Sequence, residues 1–319
     1  MHKQDLTEHP ILKQVSKAIA LNRSPGYHFC GNFFGLVFSE VHHAHSILEL
    51  EPASHSTDPD GQMNIAAFAM LIDMGLATGV RADLDGATRL ATISMSLQMT
   101  GVPRLGRLKA SSQAQGFFNG SLGRQGMSQS VVTAGDEVLC YAAGSFMILP
   151  PPADIKLSPI RWVDEQPPDD PELDLATLNT DEKWILQHAE QSLAASTRRG
   201  DDFISHFLGF RPHPADHSAY CELLNGPHVG NRVGHVQGGI TLGLAMTTAA
   251  AALSDQWTLT GVSASYVSPG EGHTISARAT VSHRGRMTAV VRTEVLSSNG
   301  RQVLEVLTNH SRKDNHPVV

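Results

Sequence analysis

The chain has 319 residues, of which 41% are hydrophobic and 17% charged, and it carries a formal net charge of −7. Such a composition is typical of a globular protein long enough for two domains, and the negative balance argues against a nucleic-acid-binding surface. The three cysteines form no CxxC pair, and the N-terminus has no hydrophobic signal region. We therefore expect free thiols and a cytoplasmic protein that binds neither nucleic acid nor membrane.

The first half of the chain is organised around one long apolar segment. Residues 9–22 have the spacing of an amphipathic helix, and residues 45–51 alternate like a strand. Residues 64–80 are apolar on every face apart from Asp73, which is typical of a helix buried inside a protein. Turn signals then separate four alternating runs, which predict four strands in hairpin series: 92–98, 107–118, 127–133 and 138–149.

The same order of elements returns after a stretch rich in proline and acidic residues, 151–178, which we interpret as a linker. A second amphipathic helix is predicted at 181–197, a strand at 217–224 and a second apolar helix at 237–253. Four more strands are expected at 257–267, 273–283, 286–297 and 302–309. The repeated order predicts two copies of one α+β unit with antiparallel strands, as domains 1–150 and 179–319. The uncharged stretch 237–254 lacks flanking anchors, which favours a core helix over a membrane span.

The two long helices differ where their sequences are matched. When Asn64 is aligned with Gln237, the acid Asp73 of the first helix stands opposite Met246 of the second. The second helix begins with two glycines, where the first has larger residues. A carboxylate within an apolar helix is costly unless it is paired or functional, which makes Asp73 a candidate functional residue. The first copy thus has an acid that the second lacks, and the second has a pair of glycines that the first lacks.

The residues around the start of the second helix resemble a known family. The sequence N-x-x-G-x-x-Q-G-G contains Asn231, Gly234, Gln237, Gly238 and Gly239. It is similar to the N-x-x-G-x-x-H-G-G motif of PaaI-like hotdog-fold acyl-CoA thioesterases, the phenylacetate-pathway type. Their acid, nine positions after the histidine, matches Asp73 in the first copy. The resemblance implies two tandem hotdog domains, with antiparallel sheets wrapped around long antiparallel central helices and the active site at the interface.

Helix geometry gives an independent reason for a shared site. Asp73 lies two turns after Ala66, roughly 10.5 Å along the axis, so it cannot serve a group bound at its own helix N-terminus. An antiparallel neighbour would bring the unpaired N–H groups of Gly238 and Gly239 close to Asp73. These groups could stabilise an oxyanion while Asp73 acts as general base or nucleophile. The mirror position, at Met246, has neither acid nor glycines, and we expect it to be inactive.

Four further residues are candidates for holding the substrate. We expect Gln237 and Asn231 to position it, and Arg284 and Arg286 of a predicted hairpin to hold coenzyme A phosphates. Each has a structural alternative: Gln237 can cap its helix, Asn231 can form a turn, and the arginines can lie in a solvated turn. The two glycines can equally serve close helix packing.

Together these features predict an acyl-CoA thioesterase that adds water to the thioester and releases coenzyme A and a carboxylic acid. No cofactor is expected beyond the coenzyme A of the substrate, and the histidines at 42, 43 and 45 lack the companions of a metal site. Two alternatives stay open: a hotdog enoyl-acyl hydratase or dehydratase, although the D-x-N-P-x-H run is missing, and a non-catalytic acyl-CoA-binding protein. A homodimer of tandem chains is a further expectation.

Overall fold

The computed structural model describes residues 9–24, 28–84, 88–121, 123–150, 171 and 173–313. Its first half contains two N-terminal helices, a hairpin, a long helix and four strands, in the predicted order. These are α1 (Pro10–Asn22), α2 (Phe29–Phe34), β1 (Val37–His42), β2 (His45–Leu50), α3 (Ile65–Arg81), β3 (Arg89–Met99), β4 (Leu108–Gly120), β5 (Gly123–Ala134) and β6 (Glu137–Leu149). The short elements α2 and β1 were not predicted.

The second half repeats this order after a short 3-10 turn, Leu175–Thr177. Its elements are α4 (Thr180–Arg199), α5 (Phe203–Leu208), β7 (His213–Ala215), β8 (Ser218–Leu224), α6 (Gly238–Ala251), β9 (Trp257–Tyr266), β10 (Thr274–Arg284), β11 (Thr288–Ser297) and β12 (Gln302–Arg312). Most of the predicted linker, 151–170, lies outside the described residues, so the linker and the domain boundaries remain predictions. The predicted α+β class with antiparallel strands is confirmed.

All strands pair antiparallel in one 12-stranded sheet with the order β1-β2-β4-β5-β6-β3-β9-β12-β11-β10-β8-β7. The halves join where β3 pairs with β9, with Ser96 opposite Ser263. The predicted hairpin series is wrong at β3 and β9, which pair with β6 and β12 instead of with the strand that follows each in the chain. Strand β2 occupies one edge of β4, and β5 occupies the other, so β3 must cross to the remaining edge of β6.

The long helices α3 and α6 pack against each other at the centre and run antiparallel, as predicted. A Cβ atom placed on Gly239 would lie 2.5 Å from Met70 Cα, and one placed on Gly243 would lie 2.6 Å from Ala66 Cα. Later residues of α6 thus contact earlier residues of α3, so the two helices run in opposite directions. Both helices are buried over most of their length. Within the described part of the chain, no helix has the length and hydrophobicity that a bilayer crossing requires.

Candidate active site

Asp73 lies in the middle of α3, where the N-terminus of α6 meets it. Its side chain is 5% exposed. The amide Nε2 of Gln237 donates to Asp73 Oδ2 at 2.7 Å, and Thr92 Oγ1 donates to Asp73 Oδ1 at 2.9 Å. The first half of the chain therefore supplies the acid, and the second half supplies one of its two side-chain donors.

The environment of Asp73 changes its acidity. Burial raises the pKa of Asp73 to about 6, while donors from Thr92, the Gly239 backbone N–H and Gln237 oppose that rise. A carboxylate with this pKa is mostly ionised at pH 7 and still basic enough to accept a proton. Such a group, buried beside a cavity, is a candidate general base.

The two glycines at the start of α6 serve different contacts. A side chain on Gly238 would press on the carboxylate, because its Cβ atom would lie 3.0 Å from Asp73 Oδ2. Gly239 packs against the backbone of α3, which matches the helix-packing alternative. The Gly239 N–H points to Asp73, whereas the N–H of Gly238, the first helical residue, has no acceptor within the helix. Gly238 is therefore the better placed donor for a ligand.

A cavity of about 420 Å³ opens beside Asp73 and is lined by both halves of the chain. One face of α3, with Asp73, Ala77 and Arg81, forms one wall. The other walls come from α2, the start of β3, the loop before α6 and the end of β9. Its size falls within the range of small-molecule sites. A neighbouring cavity of about 530 Å³ shares the wall formed by His28, Asn231 and Arg232.

Gln237 and Asn231 both line this cavity, with their side chains engaged by the protein. Gln237 caps α6, since its Oε1 accepts the Ile240 N–H at 2.9 Å while its Nε2 holds Asp73. Asn231 Oδ1 accepts the N–H groups of Val233 at 2.9 Å and His235 at 3.2 Å. Gln237 thus orients the acid, and Asn231 orders the loop that precedes α6.

Arg284 and Arg286 lie at the turn between β10 and β11, away from this cavity. Through the strand pairings, this turn aligns with Leu259 on β9, whereas Tyr266 at the other end of that strand lines the cavity. Seven residues of strand correspond to roughly 23 Å. The structure does not bring these arginines to Asp73. The arginines that line the cavity are Arg81, Arg89 and Arg232.

Two residues of the site, Thr92 and Tyr266, were not predicted from the sequence. A bulge in β3 between Thr92 and Ser94 breaks the alternation, so Thr92 faces inward opposite the buried Phe146. No simple period-two pattern could reveal this. Tyr266 did carry a signal, because it continues the inward face of Ala264; its hydroxyl donates to Gly238 O at 3.0 Å.

At the mirror position, the matching residues make different contacts. Asn64 caps α3 through Oδ1, which accepts the Ala66 N–H at 2.9 Å, and its Nδ2 donates to Asp58 Oδ1 at 2.6 Å. Its side chain is thus bound within its own half of the chain. Met246 is 2% exposed and offers no acid. Among the described residues, no group of three His, Cys, Asp or Glu side chains has the arrangement of a metal site.

No family model matches the chain, and no curated protein matches it in sequence. Solved structures do resemble it. A protein described as an oleoyl thioesterase from Lactobacillus plantarum aligns with a TM-score of 0.54 and 8% identity, over 86% of this chain and 98% of its own. The 12:0-ACP thioesterase of Umbellularia californica aligns with a TM-score of 0.53 and 12% identity, over 86% and 96%. A hot dog fold protein of unknown function from Alicyclobacillus acidocaldarius gives 0.54 and 9%, over 92% and 100%.

The chain has the hotdog fold. At such low sequence identity, the structural similarity establishes the fold but says nothing about the substrate. The hotdog neighbours align along most of this chain, and two of them are thioesterases by name. Fold alone does not define chemistry, which depends on the groups that contact Asp73.

Proposed function

We propose that this hotdog chain is an acyl-CoA thioesterase of the PaaI-like type, built from two tandem hotdog units with one composite site between them. The observation that supports this most directly is the contact between Asp73 of α3 and the N-terminus of α6. It sets a buried acid beside a backbone donor, and a cavity of about 420 Å³ opens at that point. Acyl transfer to water needs a base and an oxyanion donor in one place.

In the proposed reaction, the thioester carbonyl carbon lies beside Asp73, with its oxygen directed at the Gly238 N–H. Asp73 accepts a proton from water as the water oxygen bonds to the carbonyl carbon, and negative charge develops on the carbonyl oxygen. The N-terminus of α6 stabilises this charge through the helix dipole and the N–H group. The carbon–sulfur bond then breaks, the thiolate of coenzyme A takes up the proton, and the carboxylic acid is released.

Gln237 and Thr92 act through Asp73 in this proposal. Their hydrogen bonds fix the direction of the carboxylate, and they leave free lone pairs for a water molecule. Because each donor stabilises the charged form, together they keep the pKa of Asp73 from rising further than about 6. The mirror position lacks an acid at Met246, so one site per chain is proposed.

A panel of acyl-CoA thioesters tests this function directly. The full-length protein is incubated with saturated and enoyl substrates, and a thiol reagent reports released coenzyme A. Release of thiol is expected. Loss of enoyl absorbance without thiol would instead indicate a hydratase, and binding without either change would indicate an acyl-CoA-binding protein. Both of those outcomes contradict the thioesterase proposal.

Replacing Thr92 with valine should shift the pH profile of hydrolysis. The change removes one donor to the Asp73 carboxylate and keeps the side-chain shape, so the pKa of Asp73 should rise above its value of about 6. We expect the acid limb of the kcat/KM profile to move to higher pH, with activity recovering at pH 9. Ser263→Ala, on the solvent-exposed face of β9, is the matched control. If the acid limb of the profile stays in place in Thr92→Val, that limb does not report the ionisation of Asp73.

A further inference from the structure

Three arginines line the cavity beside Asp73, although the chain as a whole has a net charge of −7. Arg81 of α3, Arg89 of β3 and Arg232 of the loop before α6 all line it. Arg81 lies eight positions after Asp73, so the two share one face of the helix and are roughly 12 Å apart along its axis. Ala77, between them, lines the same cavity. The proposed mechanism uses none of these arginines.

Arg81 lies in an environment that does not suit an isolated cation. Its Nη1 donates to the carbonyl oxygen of Thr88 at 2.6 Å, and no ion pair with a carboxylate of the described residues involves it. Burial lowers the pKa of Arg81 to about 10, and the positive charge of Arg232 contributes to this lowering. A guanidinium that is partly removed from water beside a second cation is stabilised by an anion that binds between them.

An unsatisfied donor lies in the wall of this cavity that α2 forms. The Nδ2 atom of Asn32 is buried and has no hydrogen-bond partner within the described structure. Asn32 lines the same cavity as Arg81 and Arg232, so the three side chains surround one space. Buried donors are almost always paired, so an unpaired donor on a residue that lines a cavity indicates a ligand acceptor.

We propose that Asn32, Arg81 and Arg232 form an anion subsite, which binds an oxyanion of the substrate. The inference deepens the proposed function and rests on it. A guanidinium donates two parallel hydrogen bonds to a carboxylate or phosphate, and the Asn32 amide adds a third donor. The oxyanion has two possible sources: a terminal carboxylate on the acyl group, or a phosphate of coenzyme A.

The position of the subsite favours the acyl group. Arg81 is two turns from Asp73 on one helix face and within one cavity, so the scissile carbonyl and the oxyanion must be separated by a short chain. The Asn32 donor is enclosed, whereas the large nucleotide of coenzyme A requires an open surface. A thioester of a dicarboxylic acid has both required groups at such a separation.

Binding of three non-hydrolysable ligands tests the subsite. The ligands are coenzyme A, an S-alkyl coenzyme A thioether, and the same thioether with a terminal carboxylate. Affinities are measured by titration calorimetry for the wild-type chain, Arg81→Gln and Asn32→Asp. The last variant keeps the side-chain shape and places negative charge against the anion. Arg278→Gln, at an exposed position on β10, is the control for loss of a surface cation.

We expect the wild-type protein to bind the carboxylate thioether about tenfold or more tightly than the plain thioether. Arg81→Gln and Asn32→Asp should each remove that preference, and Arg278→Gln should keep it. If both variants weaken all three ligands equally, the oxyanion is a coenzyme A phosphate, and the anion subsite still stands. Unchanged affinities in either folded variant would overturn it. If Arg81→Gln does not fold, Asn32→Asp alone decides.

The outcome separates this inference from the proposed function. Selective binding of the carboxylate thioether together with no thiol release from acyl-CoAs would leave the subsite and remove the thioesterase. Thiol release, together with affinities that neither the terminal carboxylate nor either substitution changes, would leave the thioesterase and remove the subsite.

Discussion

Replacing Asp73 with asparagine should lower kcat/KM for acyl-CoA hydrolysis by about 10³-fold or more. The substitution keeps the shape of the side chain, and its amide oxygen can still accept from Gln237, but it cannot take a proton from water. General-base catalysis contributes roughly 10²- to 10⁴-fold, and the oriented water is lost with the carboxylate. Thiol release, measured with saturating and with limiting substrate, gives the kcat and KM separately.

The same substitution should stabilise the fold at neutral pH. Folding raises the pKa of Asp73 from 3.8 to about 6, so the folded state holds its proton more tightly than the unfolded state. Wild-type stability therefore falls as pH rises from about 4 to above 6, because ionisation becomes costly in the folded state. At 1.36 kcal/mol per pKa unit, Asp73→Asn should gain up to about 3 kcal/mol relative to wild type across this window. Denaturant unfolding at pH 4 and pH 8 measures the difference.

Met246→Ala is the matched substitution at the mirror position. It shortens a buried side chain, so it should cost about 2 kcal/mol or more of stability while most of the turnover remains. Asp73→Asn should thus lose activity and gain stability, whereas Met246→Ala should lose stability and keep most of its activity. Abolished turnover in Met246→Ala, with full turnover in Asp73→Asn, would place the working acid elsewhere and reverse the assignment.

The central helices could be predicted because their pattern is local. An apolar run with one acid, and a second run that begins with two glycines, indicate the two buried helices, and the family resemblance implied their antiparallel pairing. The contact between Asp73 and the start of α6 then followed from the antiparallel arrangement. Strand positions were equally readable from alternation, whereas the crossing of β3 to β6 depends on which sheet edges the other strands occupy.

The rest of the site depends on features that a linear pattern does not contain. The bulge that turns Thr92 inward leaves no mark in the sequence, and α2, which carries Asn32, has six residues and no readable period. Arg81 ends a helix, where an arginine is ordinary because it suits the helix dipole. Arg81 lines the cavity only because the loop before α6 and the start of β3 form the other walls in the folded chain. By contrast, Arg284 and Arg286 looked suitable in the sequence because the end of the sheet to which a hairpin belongs is not visible there.

Gly239→Ala should destabilise the fold by about 3 kcal/mol or more, since the new Cβ atom has no room. It would lie 2.5 Å from Met70 Cα and 2.8 Å from Ala69 O, and both are backbone atoms that cannot rotate away. The helices α3 and α6 would have to separate, and overpacking of this kind typically costs 1–3 kcal/mol or more. Because the same contact holds Asp73 against α6, hydrolysis should fall together with stability.

Gly79→Ala, in the last turns of α3, provides the control. Its Cβ atom would meet nothing closer than 3.6 Å, an ordinary contact, and alanine improves the helix propensity by up to about 1 kcal/mol. This variant should be as stable as wild type or more so. Thermal unfolding of both variants compares a glycine required for close approach with one that is not. Equal stability of Gly239→Ala and wild type would mean that the two helices can move apart freely, and the fixed distance between Asp73 and the Gly238 N–H, on which the proposed catalysis depends, would no longer hold.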